Sequence, residues 1–287
     1  MTRTKKYITG DYMEIEVFNV SSKKKSFKRA TKIKESTPAQ KKLNDKKSHR
    51  RFVRLVNSNF GKKDYTGELK IDDDHINASR EELLHEFKLF IDRVRRLWKK
   101  EFGEKPFRYI YVISNHKGDD TDSEARPHIH FFMSGGISRD DIESKWKWGF
   151  ANVDRLQMNE YGATGKALYM ARQSKSQRSW GGSINLIKPE PIVSDRAITK
   201  RQMEKIASFA DDGSYIENAL DTVIRGFDAA EYVEKTINRN NKKKWVFTDC
   251  LVEYDGRQLS WFGDDTGEGM GYSLLIRMRR EYPRYIC

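Results

Sequence analysis

The chain has 287 residues, enough for one sizeable hydrophobic core with a smaller appendage and too few for two large domains. Hydrophobic residues make up 37% and aromatics 12%, so a packed core is within reach, while no run of about 18 apolar residues offers a membrane-spanning helix. The net charge of +13 sits almost wholly in residues 1–60, where 17 Lys and Arg stand against 5 Asp and Glu, a one-ended field suited to a polyanion.

In chain order, Met1 to Gly10 is basic and has no apolar h-region, so no signal peptide is expected. Cys250 and Cys287 are too few for a disulfide framework or a zinc cluster, which favours an intracellular protein. Residues 11–18 alternate, with Met13, Ile15 and Val17 on one face, and predict a strand. Residues 21–51 are rich in Lys, Ser and Gln and predict a basic, partly helical linker; residues 65–71 predict a weak strand. Ser79 with Glu82 forms a capping box, and Leu83, Leu84, Phe87, Phe90, Ile91, Val94, Leu97 and Trp98 then recur at helical spacing through about residue 99.

Residues 107–115 and 127–133 are β-branched and aromatic and predict two strands, joined by an acidic, solvent-facing loop over 117–126. A short helix is expected from Ser138 to about Trp146, with Asp140 and Asp141 in its first turn, and another over about 163–175. Gly181, Gly182, Pro189 and Pro191 then break the chain, which places a boundary near residue 190. Helices are expected over 199–210 and 214–238. Strands over 245–254 and 272–279 flank a Gly- and Asp-rich turn, and the strand at 11–18 is expected to pair near 272–279.

The chemistry concentrates in His128-Ile129-His130. In a strand, residues two apart project from one face, so both imidazoles stand together and can share a divalent metal, while Ile129 turns inward. Two ordinary strand histidines are the bland alternative. On the preceding strand His116, or Ser114, has the parity to supply a third metal ligand. Downstream, Lys166, Tyr169, Arg172 and Lys175 recur every three residues along one helix face. A phenol ionises near pH 10 and is a weak nucleophile unless cations stabilise the phenolate, a role open to Lys166 and Arg172. A packed tyrosine among solvated cations would give the same pattern.

The order of these features resembles the replication initiators of bacterial plasmids and single-stranded DNA phages, within the HUH endonuclease superfamily. The family's two-histidine strand is matched by His128-Ile129-His130 and its Tyr-x-x-Lys helix by Tyr169-Met170-Ala171-Arg172, with arginine in place of lysine. Residues 179–189 (SWGGSINLIKP) are similar to the serine–asparagine–leucine–lysine–proline signature of the phage-type initiators, and an acid common before the histidines is replaced by Ser114-Asn115-His116.

The resemblance implies an α+β fold with a central, mainly antiparallel sheet (an HUH or RRM-like palm), helices packed on one face and the active site on the other. It implies a basic N-terminal arm over 1–49, a nicking domain over 50–190 and a helical and β-hairpin extension over 191–287. The activity implied is the nicking and joining of single-stranded origin DNA to start rolling-circle replication, in the cytoplasm of a bacterial host. Mg²⁺ or Mn²⁺ on His128, His130 and His116 would polarise the scissile phosphate. Tyr169 would attack it to form a 5′-phosphotyrosine, assisted by Arg172 and Lys166, with Tyr161 a minor alternative nucleophile. No nucleotide-binding P-loop exists, since Gly165-Lys166 is followed by Ala167 and Glu160 stands where the first glycine belongs, so a host helicase and polymerase would act alongside. A relaxase or transposase activity, or a non-catalytic basic DNA-binding protein, are the competing readings. A histidine phosphoesterase for RNA ends would need a second, separate histidine motif.

Overall fold

The computed structural model describes residues 1–20, 38–114, 127–173, 180–226, 244–255 and 271–281. In chain order the elements are β1 (Thr2–Thr9), β2 (Tyr12–Asn19), α1 (Pro38–Asn59), β3 (Tyr65–Lys70), α2 (Arg80–Phe102), β4 (Tyr109–Ser114), β5 (His128–Met133), α3 (Arg139–Glu143) and β6 (Ala151–Arg155). They continue with α4 (Thr164–Arg172), β7 (Trp180–Gly182), β8 (Ile192–Ser194), α5 (Lys200–Ser208), α6 (Gly213–Gly226), β9 (Lys244–Asp255) and β10 (Gly271–Glu281). The fold is α+β with two antiparallel sheets. Among the described residues no helix is long and apolar enough to cross a membrane.

The chain forms two compact units, one from Met1–Glu35 with Pro189–Cys287, the other from Ser36–Lys188. The division expected at residue 49 falls inside α1, and the two ends of the chain, expected as separate arm and extension, share one sheet.

That terminal unit holds a five-stranded sheet in the order β8-β1-β2-β10-β9. β1 and β2 form a hairpin in which Thr9 faces Tyr12 and Gly10 takes φ 66°, a value an L side chain rarely adopts, at the first central position of the turn. β1 was not legible as a strand because its buried positions Thr2, Thr4 and Lys6 are polar and leave no apolar alternation. β2 pairs with β10 from Tyr12 opposite Arg279 to Phe18 opposite Ser273, as the sequence predicts. Met13, Ile15 and Val17 join Leu274, Ile276 and Met278 under Met203 and Ile206 of α5 and Ile216 and Leu220 of α6. Thr199 and Gln202 close a capping box at the start of α5.

The central unit holds the second five-stranded sheet, in the order β6-β3-β5-β4-β7. Ser79 and Glu82 cap α2 as predicted, the Ser79 N–H donating to the Glu82 carboxylate at 2.7 Å and the Glu82 N–H to Ser79 Oγ at 3.2 Å. Leu83, Phe87, Phe90, Ile91 and Val94 of that helix pack on Leu69, Ile113, Ile129, Phe131 and Met133. Ser138 caps α3.

Helices cover both faces of this sheet and not one. Phe52, Val53, Leu55 and Val56 of α1 and Ala167, Met170 and Ala171 of α4 pack on Ile110, Val112 and Phe132, on the side away from α2. The physical reason lies in β4 and β5, whose residues are apolar in both parities and so need cover on both faces. α1 was read as part of a linker because its apolar positions are confined to its last turns, behind a lysine-rich first half.

Candidate metal centre

β5 sets the site. Ile129, Phe131 and Met133 point into the α2 core, which turns His128, His130 and Phe132 to the opposite face. Phe132 is covered by α1 and α4, whereas His128 is half-buried and His130 is buried beside the edge of that cover. The two Nε2 atoms lie 3.1 Å apart, with the rings nearly perpendicular at 88°. Nitrogen ligands sit about 2.1 Å from a small divalent ion such as zinc, so atoms this close can hold one ion together.

Among the described residues the third candidate donor comes from β3. β3 pairs with β5 so that Glu68 stands opposite His130, and Glu68 Oε1 lies 3.8 Å from His128 Nε2. Glu68, His128 and His130 each offer a ligand atom within 4.8 Å of the others, a group that could hold a metal ion. Nothing in the sequence alone singles out Glu68. Its parity was available, because Leu69 and Ile71 mark the inward face of that strand, but nothing local says which strand lies beside the histidines. Gly67 makes room for the Phe131 ring beside it: a Cβ there would stand 2.3 Å from that ring and 2.7 Å from the Asn152 carbonyl oxygen. Lys70, on the same face, holds the second Glu68 oxygen at 3.7 Å.

Of the two β4 candidates, His116 lies outside the described residues, as do Lys175 and the acidic loop at 117–126. Ser114 stands opposite His128 on the correct face but is fully buried, and its hydroxyl donates to Gln173 Oε1 at 3.2 Å.

α4 brings the tyrosine. Tyr169 is 55% exposed, and its ring centre lies 6.1 Å from that of His130 in an edge-on arrangement. Lys166 lies one turn away, its Nζ 5.8 Å from the centre of the Tyr169 ring. Arg172, at the C-terminal end, sits near His49 of α1 and disfavours its protonation. Tyr161 lies off the helix, in the Asn159–Gly162 turn that precedes it.

Other elements hold α4 at both ends. Its first residues lack a local side-chain cap, and Asn57 of α1 takes that role: its Oδ1 accepts from the Ala163 N–H at 3.0 Å and its Nδ2 donates to Thr164 Oγ1 at 3.0 Å. At the far end Ser114 binds Gln173, and His49 bonds to the Ala171 carbonyl. Burial is the main cause that holds the His49 pKa below its ordinary 6.5, with Arg172 adding to the effect and Asp45 and the Ala171 carbonyl opposing it.

The segment similar to the phage-type signature is a strap along the β4 side. The Tyr109 N–H donates to Ser183 Oγ, Asn185 Nδ2 donates to the Phe107 carbonyl, Leu186 is buried, and Asn59 clamps the backbone of Ile187 from both sides. Trp180 packs edge-on to Phe52 and donates its Nε1–H to Ser48 Oγ at 3.0 Å, tying the strap to α1. Through these contacts the described residues of the segment brace the sheet and α1.

No family model, curated protein or solved structure matches this chain. The donor set could hold a metal ion, with two imidazoles and one carboxylate converging from adjacent strands.

Proposed function

We propose that the central unit is a metal-dependent endonuclease that nicks single-stranded DNA through a tyrosine to begin rolling-circle replication. The observation that carries this reading is the convergence of Glu68, His128 and His130 beside an exposed tyrosine that stacks edge-on to one of those histidines. Histidine pairs and nucleophilic tyrosines occur apart in many proteins; their adjacency suits transfer of a phosphodiester to a phenol. The resemblance to the HUH initiators, in motif order and in the 179–189 segment, supplies the substrate.

Glu68, His128 and His130 would hold the ion, whose charge would polarise the scissile phosphate and lower the barrier to attack. Two imidazoles favour Mn²⁺ over Mg²⁺, which prefers a shell of oxygens. Tyr169 gives up its phenolic proton as Oη attacks the phosphorus, the bond to the 3′ oxygen breaks, and the departing 3′ oxygen takes up one proton, so the products are a 5′-phosphotyrosine and a 3′-hydroxyl with no net change in protons. Lys166 stabilises negative charge on the phenolate oxygen. The 3′-hydroxyl primes a polymerase, and reversal of the step joins ends.

The test is to incubate the protein with single-stranded oligonucleotides and Mn²⁺, then look for a denaturant-resistant adduct. Mass spectrometry after nuclease digestion is expected to find a 5′-phosphonucleotide on Tyr169. A modified Tyr161, or no modified tyrosine, overturns the assignment.

A further inference from the structure

In the central unit four large apolar side chains are exposed among the described residues: Phe150, Tyr169, Ile184 and Ile187. The two isoleucines belong to the strap near β7. Both aromatic residues lie on the histidine face, and they flank the candidate metal ligands from opposite directions. Tyr169 comes from the side of β4, to which α4 is tied through Ser114 and Gln173. Phe150 comes from the side of β6.

The placement of Phe150 follows from register. It exchanges two backbone hydrogen bonds with Lys70, at 2.8 and 3.1 Å, so the two residues stand directly opposite on one face. Lys70 in turn stands opposite His128. Its neighbours Ala151 and Val153 point into the α2 core, which confirms that Phe150, Asn152 and Asp154 turn to the histidine face. Phe150 is 64% exposed, and Lys70, Asn152 and Asp154 are exposed too, because α1 and α4 cover the β4 half of this face and not the β6 half. Gly149, at φ 132°, lies against the backbone of Lys70 and Asp72, where a Cβ would meet Asp72 N at 2.6 Å, so Phe150 projects from a firmly held edge and not from a loose loop.

We infer that Phe150 is a stacking platform for a nucleobase of the single strand on which the metal centre acts, with Lys70 between them holding the backbone phosphate. Two strand spacings separate Phe150 from His128, about 10 Å, a distance suited to a base close to the scissile phosphate. An exposed aromatic ring recognises any base by its π-face, but only a base that is free of a duplex. This surface therefore selects single strands and fixes which side of the metal the chain enters. The inference rests on the proposed nuclease function and names the residues by which the same site takes up its substrate.

The experiment measures anisotropy of a fluorescein-labelled oligothymidylate with the full chain in EDTA, so that no cleavage contributes, and repeats it with duplex DNA. Phe150→Ala is expected to weaken single-strand binding by about fivefold to a hundredfold and leave duplex binding unchanged, while Phe150→Trp retains the parent affinity. The slope of affinity against salt should stay the same in Phe150→Ala and fall by about one ion in Lys70→Gln, because only the lysine releases a counterion. Circular dichroism melting confirms that the variants fold. Single-strand affinity within twofold of the parent in Phe150→Ala, or an equal loss on duplex, overturns the inference. The parent's ability to form the tyrosine adduct is scored separately in Mn²⁺. A parent that forms the adduct beside a neutral Phe150→Ala removes the platform alone, and a parent that binds through Phe150 without forming the adduct removes the nuclease reading alone.

Discussion

On one face of the central sheet, β5 presents Ile129, Phe131 and Met133 to Phe87, Phe90 and Ile91 of α2. On the other face the same strand presents Phe132 to α1 and α4, and then His130 and His128 where their cover ends. One strand thus does two jobs in alternate residues. The α2 face supplies burial and hence stability, at about 25 cal/mol for each Å² of apolar surface removed from water. The histidine face is apolar only as far as its helices reach, and its remainder is free to carry groups chosen for reactivity. Substitutions one residue apart should therefore fail in different ways.

The largest effects are expected on the histidine face, in chemistry and not in folding. His130→Ala or Glu68→Gln should abolish or nearly abolish Mn²⁺-dependent cleavage, with metal affinity falling by about tenfold or more. Titration calorimetry with Mn²⁺ checks this, and wild-type affinity in Glu68→Gln would remove the carboxylate from the ligand set. Tyr169→Phe should lose the adduct completely while its urea midpoint stays unchanged, since the hydroxyl sits on an exposed ring.

Across the sheet, Phe131→Ala should cost about 3–5 kcal/mol of stability, because the ring is fully buried and fills the space over Gly67. Urea unfolding measures it. A cost under about 1 kcal/mol would mean that this face is not the stabilising one.

A smaller effect is expected where the faces meet. Asn57→Ala strands the Ala163 N–H and Thr164 Oγ1, with an expected cost of about 1–3 kcal/mol. Because Asn57 positions α4, adduct formation should slow even where the protein is fully folded, and Asn57→Asp, which keeps the acceptor, should recover part of the rate.

The smallest effect is pH dependence through His49. Burial lowers its folded pKa below 6.5, so the unfolded chain binds the proton first as the pH falls. Its contribution to stability is complete above about 6.5, declines as the pH drops through that value, and levels off below the folded pKa. His49 is half-buried, and its remaining contact with solvent keeps the change small. His49→Gln should flatten the slope of the melting temperature between about pH 7 and 5, and an unchanged slope would assign it to other groups.

Legibility followed how local the signal was. The α2 helix could be read from its capping box and apolar period, and β2 from its alternation, because both patterns are written within one element. β1 could not, since its inward Thr2, Thr4 and Lys6 mimic an exposed strand. The partly helical stretch over 21–51 was legible only in outline, because the lysines of α1 mask the apolar positions by which its last turns join the core. At the site, His128 and His130 announced themselves through strand parity and Tyr169 through the cations around it. Glu68 carried no such mark, because a carboxylate on a strand face is ordinary until a partner strand stands beside it.

The sequence by itself determined which residues share a face, since the periods of 2 and 3.6 are properties of the backbone and need no neighbours. It determined the pairing of the two imidazoles and the spacing of Lys166 from Tyr169. Only the tertiary structure decided that β3 flanks β5 and brings Glu68 to the histidines, that α1 belongs to the central unit and caps α4, and that these two helices cover the β4 half of the histidine face and not the β6 half. Those outcomes depend on strand order and on which helix covers which area, and both are set by the burial of the whole core, a sum over distant residues that no single segment contains.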